Sequence, residues 1–135
     1  MENNLSDFET LKEEWSEYKL SNNDIIKLKT VVSDIIFELN RYNVKQPKII
    51  STNITYIISS KSGEPSTEVD VEKAEKVRMS IVEARDVWNE YKINNRIIKI
   101  KSFIMSVFKI KDVYDKNKKP MYLILTSNVI EDWGV

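Results

Sequence analysis

The chain has 135 residues with 21 basic and 21 acidic side chains, so its formal net charge is zero. It has no cysteine and no histidine, which excludes disulfides, thiolate chemistry and the side chain most used as a general base or transition-metal ligand. With only two glycines, a glycine-rich phosphate-binding loop is excluded as well. These exclusions predict that the protein is not an enzyme and uses no metal or cofactor.

The distribution of hydrophobic residues and the first seven residues indicate where in the cell the protein is located. Hydrophobic residues make up 41% of the chain, but no run approaches the roughly 20 apolar residues that cross a bilayer as a helix. Residues 1–7 are polar and acidic, without the basic and apolar segments of a secretory signal. We therefore expect a cytoplasmic protein with no membrane partner.

The first predicted element is a helix over residues 6–15. Ser6 and Glu9 have the spacing of a capping box, in which two side chains satisfy free backbone N–H groups at a helix start. Four apolar residues at helical spacing would form its buried stripe: Leu5, Phe8, Leu11 and Trp15. A strand is predicted next, over residues 16–21.

Residues 24–39 can be interpreted in two ways. Six apolar residues of the segment follow helix spacing: Ile25, Leu28, Val32, Ile35, Ile36 and Leu39. Residues 96–111, the counterpart in the second half, show instead a period of two, with apolar and small residues on one parity and lysines on the other. If both copies share a fold, residues 24–39 form a strand; a helix is the alternative.

More strands and a second helix complete the chain. A third strand is predicted at residues 48–59, followed by a polar linker over residues 59–66. A long amphipathic helix is predicted from Thr67, where Thr67 and Asp70 form a capping box. Its apolar stripe would be Val77, Ile81, Ala84, Trp88 and Tyr91. The last three strands are predicted at residues 89–94, 96–113 and 120–130.

An internal repeat connects the two halves of the chain. Three ordered matches carry it: residues 15–20 (WSEYKL) with 88–93 (WNEYKI), residues 24–29 (DIIKLK) with 96–101 (RIIKIK), and residues 51–54 (STNI) with 126–129 (TSNV). The offset changes only from 73 to 72 to 75 along the chain. Such an ordered series indicates duplication rather than chance similarity.

Together the elements predict an α+β, β-rich fold. Duplicated helix-β-β-β units, at about residues 5–59 and 67–131, would form one small barrel or sandwich with the long helix packed on it. The units would make a single domain joined by the linker, because about 50 residues per unit is thin for an independent core. The alternative is an α-helical N-terminal hairpin followed by a β-α-β-β arrangement.

Lysines supply the most specific candidate site. Residues 91–120 hold nine basic and two acidic residues, so the neutral total conceals a basic hairpin. A lysine-lined strand face around an aromatic ring could bind phosphates and stack a base. The candidate nucleic-acid-binding residues are Lys27, Lys29, Lys99, Lys101, Phe103, Lys109, Lys111 and Tyr122. The alternative is a solvated outer face whose lysines prevent pairing at a sheet edge.

Two classes of function follow from this sequence. The first is a non-catalytic binding or assembly module, which presents a pseudo-symmetric β surface to a protein partner or to its own second copy. The second is a nucleic-acid-binding protein that uses the lysine-rich hairpin of residues 96–119. The repeated aromatic pairs, Trp15 with Tyr18 and Trp88 with Tyr91, are interpreted as core anchors rather than as a ligand pocket.

Overall fold

The computed structural model describes residues 7–66, 70 and 72–133, and nine strands run through them. In chain order they are β1 (Phe8–Lys12), β2 (Ser16–Leu20), β3 (Ile25–Leu39), β4 (Lys45–Ile58), β5 (Lys76–Met79), β6 (Ile81–Arg85), β7 (Trp88–Ile93), β8 (Arg96–Tyr114) and β9 (Pro120–Trp133). Every strand pair is antiparallel. The described residues therefore form an all-β protein.

The predicted α+β class is wrong, because the described part of the chain contains no helix. The segment predicted as the first helix contains β1, and Ser6 of its capping box lies outside the described residues. The segment predicted as the long helix contains β5, β6 and part of β7, and Thr67 of its capping box also lies outside them. The alternative with a helical N-terminal hairpin is wrong for the same reason.

The helix predictions failed because helical spacing over a short segment takes no account of partner strands. Val77 and Ala84 of the predicted apolar stripe are exposed in strands, whereas Tyr91 is buried in one. The backbone of β6 pairs with β2, and that of β5 pairs with β8. Tertiary pairing thus outweighs the local pattern, which is a weak determinant of helix formation.

The strands predicted in both halves are confirmed, including the ambiguous one over residues 24–39. β3 is extended along its length, and its side chains alternate between the core and the outer face. The side chains on its core face are buried: Ile26, Leu28, Thr30 and Val32. The period of two in the second half was therefore the better guide to both copies.

Two antiparallel sheets pack against each other. Sheet A has the order β1-β7-β8, with β5 pairing further along the same edge of β8 and β9 pairing along its other edge. Sheet B has the order β4-β3-β2-β6. Among the described residues both sheets end in unpaired edges, so they form an open sandwich and the predicted barrel is wrong.

The two halves repeat one pattern of pairing. The hairpin of β3 and β4 shifts register between Val32 and Asp34, and the hairpin of β8 and β9 shifts between Ile104 and Ser106, 72 positions later. A β-bulge at equivalent positions increases the local twist of both long strands. This shared irregularity supports the duplication that the sequence indicates.

The turns of the long hairpins repeat as well. The N–H of Val44 donates to Asn40 Oδ1 at 3.0 Å, and the N–H of Lys119 donates to Asp115 Oδ1 at 3.0 Å. The left-handed position of each turn is occupied by a non-glycine residue: Asn43 (φ 64°) and Lys118 (φ 65°). Asparagine and aspartate favour such turns because their side chains bond to nearby backbone N–H groups.

The halves exchange their first strands. β1 pairs with β7 of the second half, and β6, which begins 73 positions after β1, pairs with β2 of the first half. Two equivalent hydrogen bonds hold the exchange: Tyr91 Oη donates to Glu13 at 2.7 Å, and Tyr18 Oη donates to Asp86. Hydrogen bonds to a carboxylate are among the stronger ones in proteins.

A second equivalent pair of hydrogen bonds lies at the crossovers. The N–H of Glu14 donates to Asn89 Oδ1 at 3.0 Å, and the N–H of Val87 donates to Ser16 Oγ at 3.0 Å. Ser16 and Asn89 occupy equivalent positions in the repeat and are both buried. Their side chains satisfy backbone donors that the strand ladders leave free.

The core consists of two clusters, each with residues from both halves. One contains Tyr18, Leu20, Ile26, Leu28, Ile104 and Val107. The other contains Val32, Ile35, Tyr91, Ile93, Ile98 and Ile100. Between them Thr30 Oγ1 donates to Ser102 Oγ at 2.6 Å. Tyr18 and Tyr91 are core residues, as predicted, whereas Trp15 and Trp88 are half-buried.

The described part of the chain contains no helix with the length and apolarity that a bilayer crossing requires.

Tyr91→Phe tests the strand exchange. Loss of the hydroxyl removes the hydrogen bond to Glu13 but keeps the buried ring, so we expect the free energy of unfolding to fall by about 1.5–3 kcal/mol. Urea unfolding followed by tryptophan fluorescence measures the loss. Tyr42→Phe serves as the control, because Tyr42 is 69% exposed. Equal stability of Tyr91→Phe and the wild type would show that the exchange does not depend on this contact.

Candidate functional site

The unpaired edges of β4 and β9 lie side by side and are here called the open side of the sandwich. Asn53 Nδ2 in β4 donates to Thr126 Oγ1 in β9 at 3.2 Å. Nearer one end, Lys119 Nζ donates to the carbonyl of Ile57 at 2.9 Å, and it lies 3.9 Å from the centroid of the Tyr56 ring. Within the described residues, no strand pairs with the outer edge of either β4 or β9.

The β4 edge combines length with an absence of charge. Residues 49–60 (IISTNITYIISS) contain no charged residue, no proline and no glycine, and Lys48 and Lys61 flank them. Four apolar side chains on the outer face of the strand are each at least 41% exposed: Ile50, Ile54, Tyr56 and Ile58. A long, uncharged and apolar strand edge is a template for pairing with another strand.

The backbone N–H and C=O groups of successive β4 residues point alternately to β3 and to the open side. Two side-chain contacts show which residues point to which side. Ser33 Oγ from β3 donates to the carbonyl of Ile50, whereas Lys119 from the other sheet donates to the carbonyl of Ile57. Even-numbered residues therefore direct their backbone groups to β3, and odd-numbered residues direct theirs to the open side. Pro47 has the outward parity, where its missing N–H leaves the β3 ladder intact.

Two grooves flank the centre of the open side. One has a volume of about 330 Å³ and lies beside Tyr56, Lys119 and Tyr122. The other has a volume of about 390 Å³ and lies beside Val44, Pro47 and Ile130. Both are open and partly apolar, which suits the side chains of an added strand better than a small enclosed ligand.

The predicted nucleic-acid-binding lysines lie on opposite faces of the sandwich. Lys27 and Lys29 are on the outer face of sheet B, and Lys99, Lys101 and Phe103 are on the outer face of sheet A. The two groups are separated by the core. The structure thus brings together the members of each pair but does not bring the two pairs together.

Each of these lysines has a partner of its own. Lys27 Nζ lies 3.3 Å from Glu17. Lys29 lies over the Trp15 ring at 5.8 Å, and its equivalent Lys101 lies over the Trp88 ring at 4.9 Å. Lys99 lies over the Trp133 ring at 5.6 Å and stands between Glu90 and Glu131 in the strand register. Neighbouring carboxylates and rings reduce the positive potential available to a phosphate.

The remaining predicted site residues are directed elsewhere. Lys109 faces Tyr122 across the β8–β9 ladder, and Lys111 Nζ lies 3.4 Å from Glu75. The hydroxyl of Tyr122 donates to the buried carboxylate of Asp24. The eight residues therefore do not form one continuous basic surface.

Asp24 organises a buried polar cluster next to the open side. Its carboxylate accepts hydrogen bonds from Ser59 Oγ at 2.6 Å, from Asn22 Nδ2 at 3.4 Å and from the hydroxyl of Tyr122. Asn22 and Asp24 lie in the turn between β2 and β3, Ser59 directly follows β4, and Tyr122 lies near the start of β9. Asp24 thus fixes one end of the open side, and its bonds compensate for the burial of a charge.

A charged cavity of about 450 Å³ lies on the outer side of sheet A. Its lining residues are Lys12, Glu14, Arg85, Asp86, Val87, Trp88, Glu90, Lys99 and Glu131. The three cations and four carboxylates nearly balance, so the cavity selects neither an anion nor a cation. Within the described stretches, no three side chains of the metal-ligating type come together as a metal site.

Sequence reasoning did not identify the open side as a candidate site, although a signal was present. Residues 51–54 were used only as part of the repeat. The uncharged run over residues 49–60 could have been recognised, because charges alternate with apolar residues in β2 and in the first part of β3. That β4 is an edge strand follows only from the sheet order.

The buried tyrosines predict alkaline instability. Burial, and then hydrogen bonding to a carboxylate, raises the pKa of Tyr18 and of Tyr91. Burial likewise raises the pKa of Tyr122. The hydrogen bond that Asn22 donates to the Tyr122 hydroxyl lowers this pKa, and the nearby carboxylate of Asp24 raises it. A raised pKa in the folded state means that the stabilising contribution is present below the unfolded value, about 10, and is lost as pH rises above it.

We therefore expect the free energy of unfolding to fall above about pH 10, by up to about 1.4 kcal/mol per pH unit for each of these tyrosines. Urea unfolding at pH 8, 10 and 11 measures the slope, and Tyr122→Phe should reduce it by the share of one tyrosine. A slope that is identical in Tyr122→Phe and the wild type would contradict the role given to Tyr122.

Comparison of this chain with protein-family models, with curated proteins and with solved structures gave no match.

Proposed function

We propose that this protein is a non-catalytic binding and assembly module whose open side accepts an extended protein strand, which adds to β4. The observation that carries the proposal is the 14-residue edge strand β4, which is uncharged from Ile49 to its end and whose outward backbone groups have no partner strand in the described chain. Added strands gain affinity from main-chain hydrogen bonds and specificity from alternate side chains. We place this function in the cytoplasm, in keeping with a chain that has no cysteine.

The free energy available at this edge supports the proposal. Each new backbone hydrogen bond contributes about 0.5–1.5 kcal/mol net. Covering exposed apolar side chains such as Ile50 and Ile54 adds about 25 cal/mol for each Å² removed from water. Several such terms together offset the cost of ordering one extended segment.

Other edges of the two sheets are poorer acceptors. β1 and β6 have five residues each and β5 has four. The pairings of β1 with β7 and of β6 with β2 contain register irregularities. Short, irregular edge strands are a common protection against unwanted pairing. The open side is therefore the part of the sandwich suited to an added strand.

Strand acceptance is a better account than nucleic-acid binding. The predicted lysines are divided between two opposite faces, and Lys99 stands between two glutamates. A nucleic-acid surface depends on several phosphate contacts along one basic track. The uncharged edge of β4, in contrast, is continuous from Ile49 to Ile58.

A labelled peptide of residues 48–61 serves as the strand probe, because it carries the uncharged run with a lysine at each end. Fluorescence anisotropy is measured with the protein at a concentration at which it sediments as a monomer. We expect binding to the wild type and at least about tenfold weaker binding to Thr55→Pro, which removes one outward N–H and blocks the approach of a strand.

Thr55→Val is the matched control, because it keeps the N–H and a β-branched side chain and should bind the peptide like the wild type. Thr55 has the same outward parity as Pro47, so proline at this position leaves the β3 ladder intact. Equal binding by the proline and valine variants, or no binding by any of the proteins, would overturn the proposal.

A further inference from the structure

We infer that the strand accepted by β4 is β4 of a second copy of this chain, added antiparallel about a twofold axis that passes midway between the two copies of Thr52. This inference rests on the proposed function, strand acceptance at the open side, and names its partner. Three independent features of the open side lead to it: the limits of the free backbone edge, the order of side chains on the outer face, and the position of β9.

The free backbone edge is symmetric about Thr52. Between Pro47, which lacks an N–H, and Ile57, whose carbonyl accepts a hydrogen bond from Lys119, the outward residues are Ile49, Ser51, Asn53 and Thr55. Around the axis, Ile49 pairs with Thr55 of the partner subunit and Ser51 pairs with Asn53 of the partner subunit. Each of these pairs exchanges two main-chain hydrogen bonds in an antiparallel ladder.

The ladder ends at the same place on both sides. The next pair would join Pro47 to Ile57 of the partner subunit. Pro47 has no N–H to donate, and the carbonyl of Ile57 that would accept it is already occupied by Lys119 Nζ at 2.9 Å. The missing donor and the occupied acceptor therefore face each other, which is the arrangement that leaves no unsatisfied group at the end of the ladder.

Side chains on the outer face match in the same register. Thr52 faces its own copy, and threonine pairs across strands are favourable. Ile50 faces Ile54 of the partner subunit, so that two isoleucines which are 41% and 46% exposed cover each other. Lys48 faces Tyr56 of the partner subunit, and its charge is already paired with Glu38, whose carboxylate lies 3.8 Å from Lys48 Nζ. No two like charges are opposed.

The β9 edge of the open side can pair about the same twofold axis. Ser127 is the equivalent of Thr52, 75 positions later in the repeat. β4 and β9 run in opposite directions across the open side, because Asn53 contacts Thr126 and Ile57 contacts Lys119. Thr52, one residue before Asn53, therefore lies opposite Ser127, one residue after Thr126. One twofold axis, midway between the two copies of Thr52 and of Ser127, therefore extends both sheets at once.

The outer-face side chains of β9 also match each other in this register. Around Ser127, Leu125 faces Val129 of the partner subunit; the two side chains are 46% and 44% exposed in the single chain. The pairing uses one patch on each copy and is therefore isologous, so it closes at two subunits. The short β1, β5 and β6 at the other edges offer no comparable template for further growth.

Single cysteine variants test the register, because the chain has no cysteine of its own. Two facing residues of a non-hydrogen-bonded antiparallel pair have Cα atoms about 4.5 Å apart, within the roughly 4.4–6.8 Å that a disulfide spans. Under mild oxidation, Thr52→Cys should form a covalent dimer at least about tenfold faster than Ile54→Cys, whose Cα atoms would be separated by about 13 Å along the strands.

The control is a complementary pair. Ile50→Cys and Ile54→Cys should each remain monomeric when oxidised alone but should form a mixed dimer when combined, because the two positions face each other. Faster crosslinking of Ile54→Cys than of Thr52→Cys, or equal crosslinking of all variants, would overturn the inference. Failure of Thr52→Cys to crosslink, while the peptide of residues 48–61 still binds, would reject the second copy but leave strand acceptance standing. Failure of both would reject both.

Discussion

The reciprocal exchange of β1 and β6 is the constraint on which the rest of the structure depends. Each exchanged strand covers one edge of the other half, and Tyr91 with Glu13 and Tyr18 with Asp86 fix the two crossovers. Because each core cluster takes residues from both halves, neither half encloses a core alone. The exchange also determines which edges remain free, since the inner strands β2 and β7 already have partners on both sides.

Among the residues that the structure describes, the long strands β4 and β9 are left at the free edges as a result. Duplication gives the molecule two equivalent edges, and the packing of the sheets places them next to each other, with Asn53 bonded to Thr126 between them. A charged edge would resist pairing, but the central run of β4 has no charge. The same topology that closes the core thus leaves an open side suited to association.

The internal repeat was the sequence feature from which the long strands could be predicted. Alternation in residues 96–111 identified β8, and its match to residues 24–39 identified β3 against a competing helical pattern. The segments around β1, β5 and β6 were misassigned because each is short and its apolar residues also fit a helical stripe; their partners are distant in sequence. The lysines were visible as a pattern, but their distribution over two faces depends on the sheet packing. The edge position of β4 likewise depends on strand order, which no local pattern specifies.

Amide hydrogen exchange along β4, measured at two protein concentrations, tests most directly whether this edge is occupied by another copy. At high concentration the outward amides of Ser51, Asn53 and Thr55 should exchange at least about tenfold more slowly than at low concentration. The amides of Thr52 and Ile54, which bond to β3, should exchange equally at both concentrations. Outward amides whose exchange rates do not change with concentration would contradict the account.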